Sequence, residues 1–187
     1  MPMEDYKAHG HGSGFCGFGC RNEMHREDDP AGLIPEGLVE GRVVADLGCG
    51  TGHCSGYLAQ YAAKLYAVDI DRGRLDIARE RIPGKNVEFI NASVSKTGIP
   101  AGSVDLVLMA NVFHDIRTDE AVMEVERILK NDGTLLIIDW RKEEMGFGPP
   151  YELRMDVEDY RECFKGFQVV HSEKVGEYHY RIVMRKG

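Results

Sequence analysis

The chain has 187 residues, 43% of them hydrophobic and 29% charged, which fits one globular domain with a sizeable core. A formal net charge of −8 disfavours a phosphate-tracking basic face, and no apolar run is long enough to span a bilayer. Neither nucleic acid nor membrane is therefore expected as a partner.

The start, MPMEDYKAHG, is polar and lacks the apolar segment of a secretory leader, so the expected compartment is the cytoplasm. The odd set Cys16, Cys20, Cys49, Cys54 and Cys163 is then expected to stay as free thiols. Residues 1–30 are rich in Gly, His and acids, without sustained apolar periodicity, and read as an appendage to a single domain over 31–187. Within them, HGHGSGFCGFGC places His9 and His11 ahead of a C-x-x-x-C pair, Cys16 and Cys20. Cys and His can hold zinc, and thiolates take soft metals or metalloids. However, H-x-H is awkward for chelation by both rings and no further cluster follows, so no metal residue is assigned.

From Val43 onward the pattern becomes regular. The runs VVADL, KLYAVDI, NVEFI and VDLVLMA alternate with helix-like segments, the pattern of parallel strands covered on both faces. After Asp71, a candidate N-cap, Leu75, Ala78 and Ile82 share one helical face before Pro83-Gly84 ends it. Ala121, Val122, Val125, Ile128 and Leu129 form a wider stripe, that of a helix lying on a sheet. Asn131-Asp132-Gly133 then predicts a turn into the buried strand TLLIID. Pro149-Pro150 predicts the entry to a polar helix over 151–163. The tail, FQVVHSEK and EYHYRIVMRK around Gly176, reads as an antiparallel hairpin ending the sheet. Together these elements predict a doubly wound, mostly parallel α/β sheet.

The strongest chemical signal is VVADLGCGTG, where Gly48, Gly50 and Gly52 follow a buried strand and precede a helix. Such glycines let backbone turn sharply and approach a ligand. A second strand ends in Asp69, an acid placed to take both ribose hydroxyls of a nucleotide. A dinucleotide loop would put its third glycine at position 53, but that residue is His53. This argues against a nicotinamide-dependent oxidoreductase. Two plainer roles stay open: Asp46 as a partner of loop amides only, and Asp69 as the cap of the next helix.

DLGCGTG followed by VDID resembles the S-adenosylmethionine-binding motifs of class I methyltransferases, and the resemblance extends through GSVDLVLMANVFHDI, LKNDG and TLLIIDW. It covers roughly residues 28–140, with the hairpin in outline, and is nearest to ubiquinone/menaquinone C-methyltransferases and arsenite methyltransferases. The resemblance implies a Rossmann-like seven-stranded sheet with an antiparallel C-terminal strand. It also implies S-adenosyl-L-methionine as cofactor and a small-molecule acceptor. Asp46, Gly48, Cys49, Gly50 and Gly52 would then approach the methionine part, Asp69 the ribose and Ile70 the adenine. Ser93 stands where the family often has an acid for the adenine amino group, with the Val94 amide beside it. Asn111 would lie near the sulfonium. The segment before the first strand often covers the cofactor in this family, so residues 9–20, with Phe15 and Phe18, are a candidate lid; disorder is the other reading. A metalloid methyltransferase or a metal-binding protein using that segment is the alternative function.

In open α/β sheets ligands lie beyond the carboxyl ends of the strands. This singles out Asn111, Phe113, His114 and Asp115, then Asp139 and Trp140. Methyl transfer needs in-line positioning above all, and a base only where the acceptor must lose a proton. His114 is the candidate base, because its ordinary pKa is near neutrality, with packing or capping as its plainer role. Asp115 is expected to begin the following helix, and Trp140 to be a pocket wall or core. Cys49 and Cys54 read as small apolar fillers, with Cys54 a reactive thiol if the helix N-terminus lowers its pKa. The acceptor atom and the oligomeric state, homodimer included, stay open.

Overall fold

The computed structural model describes residues 29–146 and 148–187. The expectations for His9, His11, Cys16 and Cys20, and for a lid, lie outside the described residues. A seven-stranded sheet in the order β3-β2-β1-β4-β5-β7-β6 forms the centre. Its strands are β1 (Val43–Leu47), β2 (Lys64–Asp69), β3 (Val87–Asn91), β4 (Val104–Ala110), β5 (Leu129–Trp140), β6 (Phe167–Val175) and β7 (His179–Lys186). The first five strands pair in parallel. β7 is antiparallel to both neighbours, so the edge strand β6 again runs with β5.

The continuous apolar strands have the physical cause the sequence suggests: both faces are covered. Ala45, Leu47, Val107, Met109, Leu135 and Ile137 point to one face, packed with Val125, Ile128, Tyr160 and Phe164. Their neighbours Val44, Leu106, Leu108, Leu136 and Ile138 point to the other, against Leu33, Ile34, Tyr57 and Leu58. Period-two alternation thus divides one apolar run between two cores.

The helices are α1 (Pro30–Leu33), α2 (His53–Tyr61), α3 (Arg72–Arg81), α4 (Phe113–Ile116), α5 (Asp119–Ile128) and α6 (Val157–Cys163). The Asp71 carboxylate caps α3 by accepting from the Arg74 amide at 3.1 Å, as its position predicts. α5 starts at Thr118, whose hydroxyl accepts from the Ala121 amide. Asp115 therefore does not begin that helix; it belongs to α4.

Two further expectations need correction. Residues 151–163 are not one helix. Tyr151–Leu153 make a 3-10 turn, Met155 is buried in extended chain, and Asp156 starts α6 through a reciprocal cap with Asp159. The proline pair starts the short turn, while the capping box starts the helix. Asn131-Asp132-Gly133 does not precede the strand but bulges within β5. Pairing with β4 jumps from Val104↔Leu129 to Leu106↔Thr134, with Asp132 at φ 59°.

Candidate functional site

Because β1 to β5 are parallel, the chain segments that follow them emerge at one end of the sheet. β1 lies between β2 and β4, so the chain winds outward from it in both directions. This switch point leaves a crevice beyond its carboxyl end. The glycine loop leaves β1 there. Gly48, Gly50 and Gly52 have φ of 78°, 55° and 85°, values that side chains disfavour. Packing adds to the demand at two of them: a Cβ on Gly48 would lie 2.4 Å from Val112 Cγ2, and one on Gly52 2.7 Å from Ile82 Cδ1. At Gly50 nothing lies within 4 Å of that position, so this side of the loop is open.

Asp69 holds the loop from the neighbouring strand. One carboxylate oxygen accepts from the Gly50 amide at 2.7 Å and the other from the Asp71 amide at 2.8 Å. It thus organises the turn itself, while the cap of α3 belongs to Asp71. Ile70, the next residue, is 65% exposed, a large apolar side chain left facing outward beside the crevice. The Asn91 amide group donates to the carbonyls of Asp69 and Ile70 at 3.0 and 2.9 Å, fixing that corner. Ser93 makes a turn of its own, its hydroxyl accepting from the Ser95 amide at 3.2 Å, while Val94 is buried in the core.

Asp46 lies beneath the loop. It is 1% exposed, and its carboxylate accepts from the Ser55 hydroxyl at 2.6 Å. Burial pushes its pKa up to about 6, against the lowering effect of Ser55 and with a small further push from Asp69. Cys49 and Cys54 flank the same buried acid. Burial first, and the Asp46 charge second, push both thiols well above the ordinary range. Burial and the neighbouring carboxylate both favour the protonated Cys54 thiol and so act against its reactive reading.

At the end of β4, Asn111 sits at φ 54°, its amide donating to the Ile138 carbonyl at 2.8 Å. Its side-chain oxygen is buried and has no hydrogen-bond partner among the described residues. A non-glycine residue held in that conformation with an unused buried acceptor is a place where a ligand donor fits.

His114 and Asp139, 25 residues apart in the chain, meet. Nδ1 of His114 is 2.7 Å from Asp139 Oδ1, and the second Asp139 oxygen accepts from the Tyr160 hydroxyl at 2.7 Å. The Trp140 amide also donates to Oδ1, and Asp115 stands 3.5 Å from His114 Nε2. Burial alone would lower the His114 pKa, but the hydrogen bond and charge of Asp139, with Asp115, outweigh it and raise it; Arg154 opposes them. Ser55 and Tyr160 are not singled out by sequence. A serine nine residues after Asp46 and a tyrosine 21 residues after Asp139 carry no local signal. Trp140 packs against His179 with tilted rings, centroids 4.8 Å apart, and a Cβ on Gly148 would fall 3.0 Å from its ring carbons. The loop after β5 is thus seated on this ring, while the buried Arg154 donates to the carbonyls of Pro149 and Glu143. Among the described residues, no group of three or more His, Cys, Asp or Glu is placed to hold a metal ion.

A methyltransferase-domain family model matches residues 45–137, from within β1 to within β5. A SAM-dependent methyltransferase from Aquifex aeolicus has a similar structure, with a TM-score of 0.75 and 30% identity, covering 81% of this chain and 86% of that one. A type 11 methyltransferase structure from Sulfolobus solfataricus is 41% identical with a TM-score of 0.70, covering 77% and 83%. The ubiquinone/menaquinone biosynthesis C-methyltransferase UbiE of Campylobacter jejuni is 29% identical over 111 residues, 55% of this chain and 46% of that protein. The chain therefore matches about half the length of this curated relative. With its sheet order and glycine loop, the chain belongs to the class I S-adenosylmethionine-dependent methyltransferases.

Proposed function

We propose that this protein transfers the methyl group of S-adenosyl-L-methionine, the cofactor of its family, to a small-molecule acceptor. The observation that carries the reading is the left-handed Gly48–Gly52 loop tied to Asp69 at the switch point. The residues fit the cofactor chemically. Backbone at Gly50 is open to a ligand, Ile70 offers an apolar surface to a purine, and the unused Asn111 oxygen can accept from an ammonium group. Asp69 would hold the ribose hydroxyls, Ser93 and Val94 would border the adenine, and Gly48, Cys49 and Gly52 would shape the loop around the amino-acid end. Asp46 would act from below as a buried negative charge. When bound, the cofactor supplies an electrophilic methyl group on a cationic sulfur, and an acidic, lysine-free loop suits that charge.

The acidic net charge supports a small molecule over nucleic acid as acceptor. No helix among the described residues is long and apolar enough to cross a membrane. A cytoplasmic location rests on the free Cys49, Cys54 and Cys163. One domain over 31–187 rests on the continuous sheet, and a homodimer is compatible with the exposed edge strand β6. The test is calorimetric titration with S-adenosylmethionine, its demethylated product S-adenosylhomocysteine and NAD. Binding of the first two and not of NAD is expected, weakened at least about tenfold in Asp69→Asn because a charge-assisted hydrogen bond is lost. No binding of either sulfur nucleoside would overturn the reading.

A further inference from the structure

Of the ionisable groups at the carboxyl edge of the sheet, His114, Asp139 and Tyr160 form a buried chain outside the cofactor contacts proposed above. Three elements converge on it: α4 supplies the imidazole, the end of β5 the carboxylate and α6 the phenol. Both Asp139 oxygens are occupied by donors: Oδ1 takes the Trp140 amide at 2.8 Å and the imidazole at 2.7 Å, and Oδ2 takes the Tyr160 hydroxyl at 2.7 Å. A carboxylate in that setting accepts, so the Nδ1 atom of His114 carries its proton. The neutral ring then has its lone pair on Nε2.

We propose that Asp139 and Tyr160 are positioning residues that fix His114 as the Nδ1–H tautomer, making Nε2 the proton acceptor for a substrate that bears hydrogen on the atom to be methylated. The inference rests on the methyl-transfer reading above. The substrate class is a hydroxyl, phenol, N–H or acidic C–H acceptor. As its reacting atom forms a bond to the methyl carbon, the carbon–sulfur bond breaks with its electron pair staying on sulfur. The acceptor's proton passes to Nε2. Asp139 and Asp115, on either side of the ring, favour the imidazolium that results. The groups facing the ring are Asp139 from β5, Asp115 from α4 itself and Arg154 from the segment before α6. The first two favour its charged form and the third disfavours it. Phe113 packs against Tyr160 with ring centroids 5.9 Å apart and against Phe164 at 4.9 Å, and all three side chains are buried.

The test needs no acceptor. Long-range 1H–15N correlation spectra of histidine-labelled full-length protein, titrated with pH and assigned with His114→Gln, read both tautomer and proton affinity. An Nδ1–H tautomer is expected in the unsubstituted protein above its pKa. In Asp139→Asn the proton affinity of His114 should fall by at least about tenfold, because the opposing charge is gone while the burial remains. An Nε2–H tautomer, or unchanged affinity in Asp139→Asn, overturns the proposal. If Asp139→Asn does not fold, the tautomer in the unsubstituted protein decides alone. Calorimetry with S-adenosylhomocysteine on the same sample separates the two failures: absent binding defeats the cofactor reading, whereas a wrong tautomer with intact binding defeats only this one.

Discussion

Asp46 gives the sharpest prediction, because its cost is paired with a measurable proton. The carboxyl is 1% exposed, and its pKa rises from 3.8 to about 6, mainly through burial. An acid whose folded pKa is raised binds its proton more tightly when folded. Its contribution to stability is therefore fully present below pH 3.8 and is lost as pH rises through about 6. A shift of this size corresponds to about 3 kcal/mol. Asp46→Asn keeps an oxygen to accept from Ser55 and removes the ionisation. Its stability relative to the unsubstituted protein should thus improve by about 3 kcal/mol between pH 3 and pH 8, whatever the fixed cost of the added N–H donors. Urea unfolding of both proteins at several pH values measures the difference, and other titrating groups cancel in it. Parallel stability curves for the two proteins across that range would refute the reasoning. A bound sulfonium cation would favour the ionised form. Affinity for S-adenosylmethionine should therefore increase as pH rises through 6, with a smaller effect on neutral S-adenosylhomocysteine.

Other outcomes follow from single contacts. Gly48→Ala should destabilise by about 1–3 kcal/mol, from the left-handed backbone and from the Cβ falling 2.4 Å from Val112. Adding Val112→Ala should recover the steric part only, as thermal unfolding of the double variant would show. Glu124 is buried against Thr97 and Arg127. The Arg127 hydrogen bond, against burial and helped by Thr97, holds its pKa near 2, so its stabilising effect is present above the ordinary glutamate range and lost as pH falls through about 2. Glu124→Gln should cost about 2 kcal/mol at pH 7, measured by urea unfolding. Iodoacetamide at pH 8 should alkylate Cys49 and Cys54 at least about tenfold more slowly than a free cysteine peptide, because both thiols stay protonated. Peptide mass mapping over time reads this directly, and fast labelling of Cys54 would restore the reactive reading.

What sequence made legible here was what depends on neighbours along the chain. Asp71 and the Leu75–Ala78 face specify α3, and the stripe through Val125 and Ile128 specifies α5, because cap and periodicity are local signals. The loop over 48–52 and Asp69 were legible as a pair, since a strand and a helix fix the spacing between them. The break at Met155 was hidden because the core contact is tertiary: Met155 is buried in the core between the 3-10 turn and α6, and an Asp-x-x-Asp box then starts the helix. The meeting of His114, Asp139 and Tyr160 was equally hidden. It depends on β4 and β5 being neighbours and on α6 folding back over them, and neither fact is written in the spacing of the three residues.

The seat of Gly148 on the Trp140 ring also has a practical meaning. This is the sole tryptophan of the chain. It stands at the end of β5 between His179 and the loop after the strand. Its emission therefore reports from one known place, where the sheet edge meets the 141–150 loop, with no attached dye and no competing indole. A movement of that loop when a ligand enters the crevice would lift Gly148 from the ring and alter its solvent contact. The molecule thus carries its own optical gauge of that loop.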